Sequence, residues 1–148
     1  HKVGNDGWAE YRRSIGEALE SRDPDALVAA NAVGALGYYS DLRILDMLGL
    51  NNAYIARHGS KDPEQFPGHQ VGDGRYVLSR EPDYIIPYGI KPIYRVDSTV
   101  PYFVGDRELA SLPEFHAEYE AVTIELNNDV EEYGGQEASL FRRRAGVD

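Results

Sequence analysis

The chain predicts an α/β fold: a layered, mostly parallel sheet flanked by helices, with a C-terminal antiparallel hairpin. Three observations carry this expectation. Short apolar runs of strand length recur at residues 27–31, 42–48 and 83–87, each bounded by Gly, Pro or polar residues. Nearly continuous apolar runs of that length suit strands buried on both faces, as in parallel sheets. Helical patterns lie between them, and strand–helix alternation is the signature of a layered α/β domain. Two further strand-like runs, Ala121–Leu126 and Ala138–Arg143, flank a polar stretch at residues 127–136 and read as a hairpin.

The elements follow in order. Trp8, Tyr11, Ile15 and Leu19 recur every three to four residues, with Glu10, Arg12, Arg13, Glu17 and Glu20 assigned to the opposite face. This predicts an amphipathic helix from about Asp6 to Arg22, with Asp6 as N-cap and Asp23-Pro24 as its stop. Leu27–Asn31 is the first buried strand, and Gly34 and Gly37 then open a loop or short helix. Leu42–Leu48 is the second strand, ended by Gly49, and Asn51–Arg57 reads as a helix capped by Asn51. Residues 58–74 read as a long exposed loop, Arg75–Arg80 as a helix, and Asp83–Pro87 as the third strand. Tyr88–Val104 reads as irregular or extended because Pro92 and Pro101 limit regular pairing, and Arg107–Tyr119 reads as a helix.

The bulk properties bound the function. At 148 residues the chain is read as a single domain, residues 1–148, long enough to bury a core. Its formal net charge of −10 would repel a phosphate backbone, so nucleic acid is not an expected partner. The basic run Arg142–Arg144 is short and reads as a solvated strand end or tail. With no cysteine, disulfides, thiol catalysis and thiolate metal sites are excluded. The longest nearly apolar stretch, Leu27–Tyr39, is about 13 residues, short of the ~20 a membrane span needs. The sequence starts at His1 and holds Met47 as its only methionine, from which we expect a segment excised from a larger protein.

Few motifs carry chemistry. Gly34 and Gly37 are spaced G-x-x-G, which lacks the dinucleotide fingerprint and suits a tight strand-to-helix turn. No phosphate-binding loop, and no nucleophile elbow around Ser40, is present. His1, His58, His69 and His116 show no metal-ligand spacing, so neither metal nor cofactor is expected. Asp46 stands inside an apolar run. A buried acid must reach a cleft, a cation or backbone donors. Two readings therefore stand: a structural acid bonding nearby amides, or a ligand-hydroxyl acceptor at a strand end. His69, in the Pro-Gly-His-Gln loop, is either simply exposed or a donor or base for a ligand. Eleven tyrosines, against four phenylalanines and one tryptophan, supply flat apolar faces with a hydroxyl, useful for sugar rings and for packing alike.

Four strings occur in order: VAANAVGALGYYS, ILDMLGLNNAYIAR, PGHQ and YVLSREPDYII. Over about Trp8–Ile86 this ordered set resembles the soluble C-terminal domain of actinobacterial membrane glycosyltransferases of the C type, and within them the terminal arabinofuranosyltransferases of the mycobacterial cell wall. The matched positions are Gly34, Tyr39, Ser40, Asp46, Gly49, Leu50, Ile55, Ala56, Arg57, Gly68, His69, Pro82 and Asp83. Gln70 and Val71 depart from the pattern, which often carries an acid and a lysine there. The resemblance implies an extracytoplasmic accessory domain of a polyprenyl-phosphate-sugar-dependent enzyme. The catalytic acid would lie in the membrane part of the same protein, and a cell-wall glycan acceptor would be the partner. No residue of this segment is expected to be catalytic. Tyr39, Ser40, Asp46, Arg57 and His69 are the expected substrate contacts, with Asp46 and His69 facing one cleft together with Tyr39 and Arg57. The alternatives are a free-standing extracytoplasmic hydrolase using His69 and an acid, and a sugar-binding or protein-interaction domain.

Overall fold

The computed structural model describes residues 3–87, 101–127 and 137–147, with side chains from residue 7 onward. The element order is α1 (Val3–Arg22), β1 (Leu27–Ala30), α2 (Gly34–Tyr38), β2 (Arg43–Asp46), α3 (Ala53–His58), β3 (Ser60–Lys61), β4 (Val71–Gly72), α4 (Gly74–Ser79), β5 (Tyr84–Ile86), α5 (Val104–Ser111), α6 (Pro113–Glu118), β6 (Tyr119–Glu125) and β7 (Glu137–Arg143). Five strands form one sheet in the order β2-β1-β5-β7-β6. β1 pairs in parallel with β2 on one side and β5 on the other, Ala30 lying between Asp46 and Ile86. β7 runs antiparallel to both β5 and β6, so the hairpin joins the sheet through its second strand. The fold is therefore the mixed α/β sheet the apolar runs predict, with the antiparallel strands at one side.

The sheet buries both faces. Val28, Ala30, Tyr84, Ile86, Ile124 and Leu140 point to one side, where Tyr11, Ile15 and Leu19 of α1 and Leu36 of α2 cover them. Ala29, Leu45 and Ile85 point to the other, against Ile55 of α3, Val77 of α4, Leu109 of α5 and Phe115 of α6. Adjacent residues on one strand thus enter different cores, which explains why β1 and β5 carry no polar alternation. Removing such a side chain from water stabilises by roughly 1.5–3 kcal/mol each.

Several boundaries differ from the sequence reading, each for a physical reason. α1 begins before Asp6, which lies inside it. Arg12 belongs to no solvated face: it is 1% exposed. Asn52, not Asn51, caps α3, its side-chain oxygen accepting from Ile55 N at 3.0 Å. The helix expected over 107–119 is two, α5 and α6. Pro113 supplies no N–H and holds Leu112 extended at φ −90°, ψ 119°. Within the expected loop at 58–74, β3 and β4 form a short antiparallel ladder, Ser60 opposite Gly72 and Lys61 opposite Val71. Glycine makes this possible, since a Cβ on Gly72 would stand 2.3 Å from Gly105 N and one on Gly74 2.7 Å from Leu109 N. The ladder and the start of α4 thus press main chain to main chain against α5. Residues 88–100 of the expected irregular stretch and 128–136 of the expected turn lie outside the described residues.

Candidate functional site at the carboxyl edge of the sheet

β1 and β5 are adjacent and parallel. The chain leaving β1 enters α2 on the α1 side, whereas the helices that follow β5 pack on the opposite side. Ligand crevices in open α/β sheets form beyond the carboxyl ends of the strands, where the helices of neighbouring strands lie on opposite faces. This edge holds four of the five buried polar side chains among the described residues: Arg12, Asn31, Asp46 and Asp106.

Asp46 ends β2. Its Oδ1 accepts from Leu48 N at 2.9 Å and its Oδ2 from Asn51 N at 2.7 Å. A carboxylate at 4% exposure is held by charge-assisted bonds to the turn that follows, so it shapes the loop through Gly49. Gly49 has φ 74° and leaves 3.0 Å between a notional Cβ and Ala56 N, which only glycine meets without strain.

Asn31 follows β1 and links three elements. Its Nδ2 donates to Asp106 Oδ1 at 2.8 Å, and its carbonyl accepts from the Arg12 guanidinium. Arg12 Nη2 also donates to the Ala32 carbonyl at 3.2 Å, and its guanidinium lies 5.5 Å from the Trp8 ring centroid. Asp106 Oδ2 accepts from Phe103 N at 3.1 Å, closing the first turn of α5. Ala32 has φ 48°, an uncommon value for a residue with a Cβ.

Over this polar floor lies an aromatic layer. Leu48 and Phe103 pack together, with Trp8, Ala32 and Tyr102 against them. The His69 ring stacks on Phe103 at 5.1 Å and 28°, and Phe66 meets His69 edge-on at 6.1 Å. Phe66 is 55% exposed and Leu50 65%. Leu50 lies beside Gly68, whose notional Cβ is 4.0 Å from Leu50 Cδ2.

The expected contact residues fall in three places. Asp46 and His69 share the carboxyl edge, joined through Leu48 and Phe103. His69 Nδ1 lies 3.2 Å from Pro67 O. Tyr39 and Ser40 stand on the connection leading into the amino end of β2. There the Arg13 guanidinium covers the Tyr39 ring at 5.0 Å, and Ser40 Oγ donates to Leu36 O at 2.7 Å. Arg57 is exposed on α3. A single cleft gathering Tyr39, Asp46, Arg57 and His69 is not formed among the described residues.

Arg12, Asn31 and Asp106 were not singled out from the sequence as site residues. A signal existed for two of them. Arg12 is four residues after Trp8 and so shares its stripe, and Asn31 closes an apolar run as Asp46 interrupts one. Asp106 carries no local mark, because its partner Asn31 is 75 residues away.

Among the described residues no group of three His, Asp or Glu side chains is placed to hold a metal ion, and no helix is long and apolar enough to cross a membrane. No curated protein and no solved structure matches the chain. A family profile does match, over residues 5–141, and on that extent the chain belongs to DUF8728, a domain of unknown function.

Proposed function

We propose that this segment is a non-catalytic binding domain that presents its carboxyl edge to a neutral glycan, as an extracytoplasmic accessory part of a polyprenyl-phosphate-sugar-dependent membrane glycosyltransferase. One observation carries the binding role: exposed Phe66, the Phe103-stacked His69 and Tyr102 form an aromatic surface beside Ala32 and Leu48, just past the carboxyl ends of β1 and β2. Sugar rings bind on such surfaces through their apolar C–H faces while hydroxyls reach flanking polar groups. The ordered motif resemblance to the arabinofuranosyltransferase domains supports the glycan class and the location. The acidic balance of the chain favours an uncharged ligand over a phosphorylated one.

Titration of arabinan and galactan oligosaccharides into the ¹⁵N-labelled chain tests the reading. Amide shifts at Phe66, His69 and Phe103, saturating with Kd on the order of millimolar, are the expected result. Unchanged spectra at those residues with ligand at several millimolar overturn it.

A further inference from the structure

We propose that Arg12 is a positioning residue that holds the β1–α2 turn in its left-handed conformation and so shapes one wall of the carboxyl-edge surface. The binding consequence rests on the glycan reading above, whereas the conformational claim stands on geometry.

In an extended strand successive carbonyls point to opposite sides. Here the carbonyls of Asn31 and Ala32 both accept from Arg12 Nη2. Two neighbouring carbonyls reach one nitrogen because the chain turns at residue 32, where φ is 48°. The convergence and the turn are one feature, and a residue with a Cβ stays at such an angle only when its surroundings hold it there.

The guanidinium is able to supply that hold. It is buried, it lies against Trp8, and its helix is fixed in the core by Tyr11 and Ile15. Its planar fork keeps several donors in fixed directions. Asn31 is gripped from the other side of the sheet, because the Asp106 carboxylate only accepts and therefore fixes Nδ2 toward itself. Ala32 and Trp8 in turn pack on the Leu48–Phe103 pair that carries His69. Release of the turn would move that wall. Lysine keeps the charge but offers neither the fork nor the stacking plane.

The test is Arg12→Lys, alone and with Ala32→Gly, read by NMR. A strong intraresidue amide-to-Hα NOE at residue 32 marks positive φ. It is expected in the native chain and lost in Arg12→Lys, with Ile15, Val28 and Leu140 resonances unmoved. Persistence of that NOE in Arg12→Lys overturns the proposal whether or not any ligand binds. Oligosaccharide affinity is expected to fall roughly tenfold in Arg12→Lys, the equivalent of one lost hydrogen bond. Ala32→Gly is expected to restore it, because glycine adopts this φ without being held. Failure of that rescue overturns the positioning role. A native chain that binds no glycan overturns the binding reading instead, and the NOE result still decides the conformational one. Arg12→Met, which keeps the apolar stem and removes the charge, gives the same NOE readout should Arg12→Lys not fold.

Discussion

Asp46 and Glu20 do the same chemical task at opposite ends of the β1–β2 pair. Each carboxylate accepts from main-chain amides. Asp46 takes Leu48 N and Asn51 N with 4% of its surface exposed. Glu20 takes Asp41 N at 3.1 Å in an exposed setting, at the connection into β2. The difference lies in what replaces the bond when it breaks. Water reaches Asp41 N readily, whereas Leu48 N beside Asp46 is enclosed, and an enclosed donor without a partner costs its full desolvation. At the carboxyl edge Asp46 therefore fixes loop shape from within, whereas Glu20 at the amino edge acts on a surface that water already serves.

That contrast can be broken by three substitutions. Asp46→Ala is expected to cost about 2 kcal/mol, since the enclosed Leu48 N and the part-buried Asn51 N lose a charged acceptor. Urea unfolding monitored by circular dichroism measures it, and a loss under ~0.5 kcal/mol would show the turn to be indifferent to its acid.

Tyr119 sharpens the comparison, because it is a buried polar group at the amino end of β5. Its hydroxyl donates to Pro82 O at 2.6 Å. Burial is the main cause that pushes its phenol well above the ordinary value of 10.0, against a smaller opposing pull from Arg143. The folded chain therefore keeps a proton that the unfolded chain releases, so this contribution is whole below about pH 10 and lost as pH rises above it. Tyr119→Phe is expected to cost about 1 kcal/mol at pH 7 and to flatten the fall in melting temperature between pH 9 and 11. An unchanged alkaline slope in the variant would assign that fall to other groups.

The smallest effect is expected from Glu20→Ala, at roughly 0.5 kcal/mol or less, because the bond it removes is exposed. A cost equal to that of Asp46→Ala would erase the distinction between the two edges.

β1 and β5 were legible in the sequence because they are short apolar runs whose every residue enters a core. Leu27–Ala30 and Tyr84–Ile86 sit within the expected limits for that reason. The β3–β4 ladder was not legible. It has two residues per strand and no alternation, and it exists because Gly72 and Gly74 let the chain lie against α5. Arg12 was misplaced by its charge, which outweighed its position on the Trp8 stripe. Asp46 was visible as an exception to an apolar run, and its amide partners agree with the structural one of its two readings. The grouping of Asn31, Arg12 and Asp106 depends on contacts across 19 and 75 residues, which no local pattern encodes.

The position of β7 bears on how the chain is made. It is an interior strand, yet it lies some fifty residues beyond β5, its neighbour. During synthesis, β2, β1 and β5 can pair while residues 137–143 are still inside the ribosome, and β5 then presents an open, apolar margin. β6 would have no place in the sheet until β7 emerges to bridge it. Loss of those seven residues would detach two strands rather than one, leaving a nascent product with the exposed edge that chaperones and degradation machinery recognise.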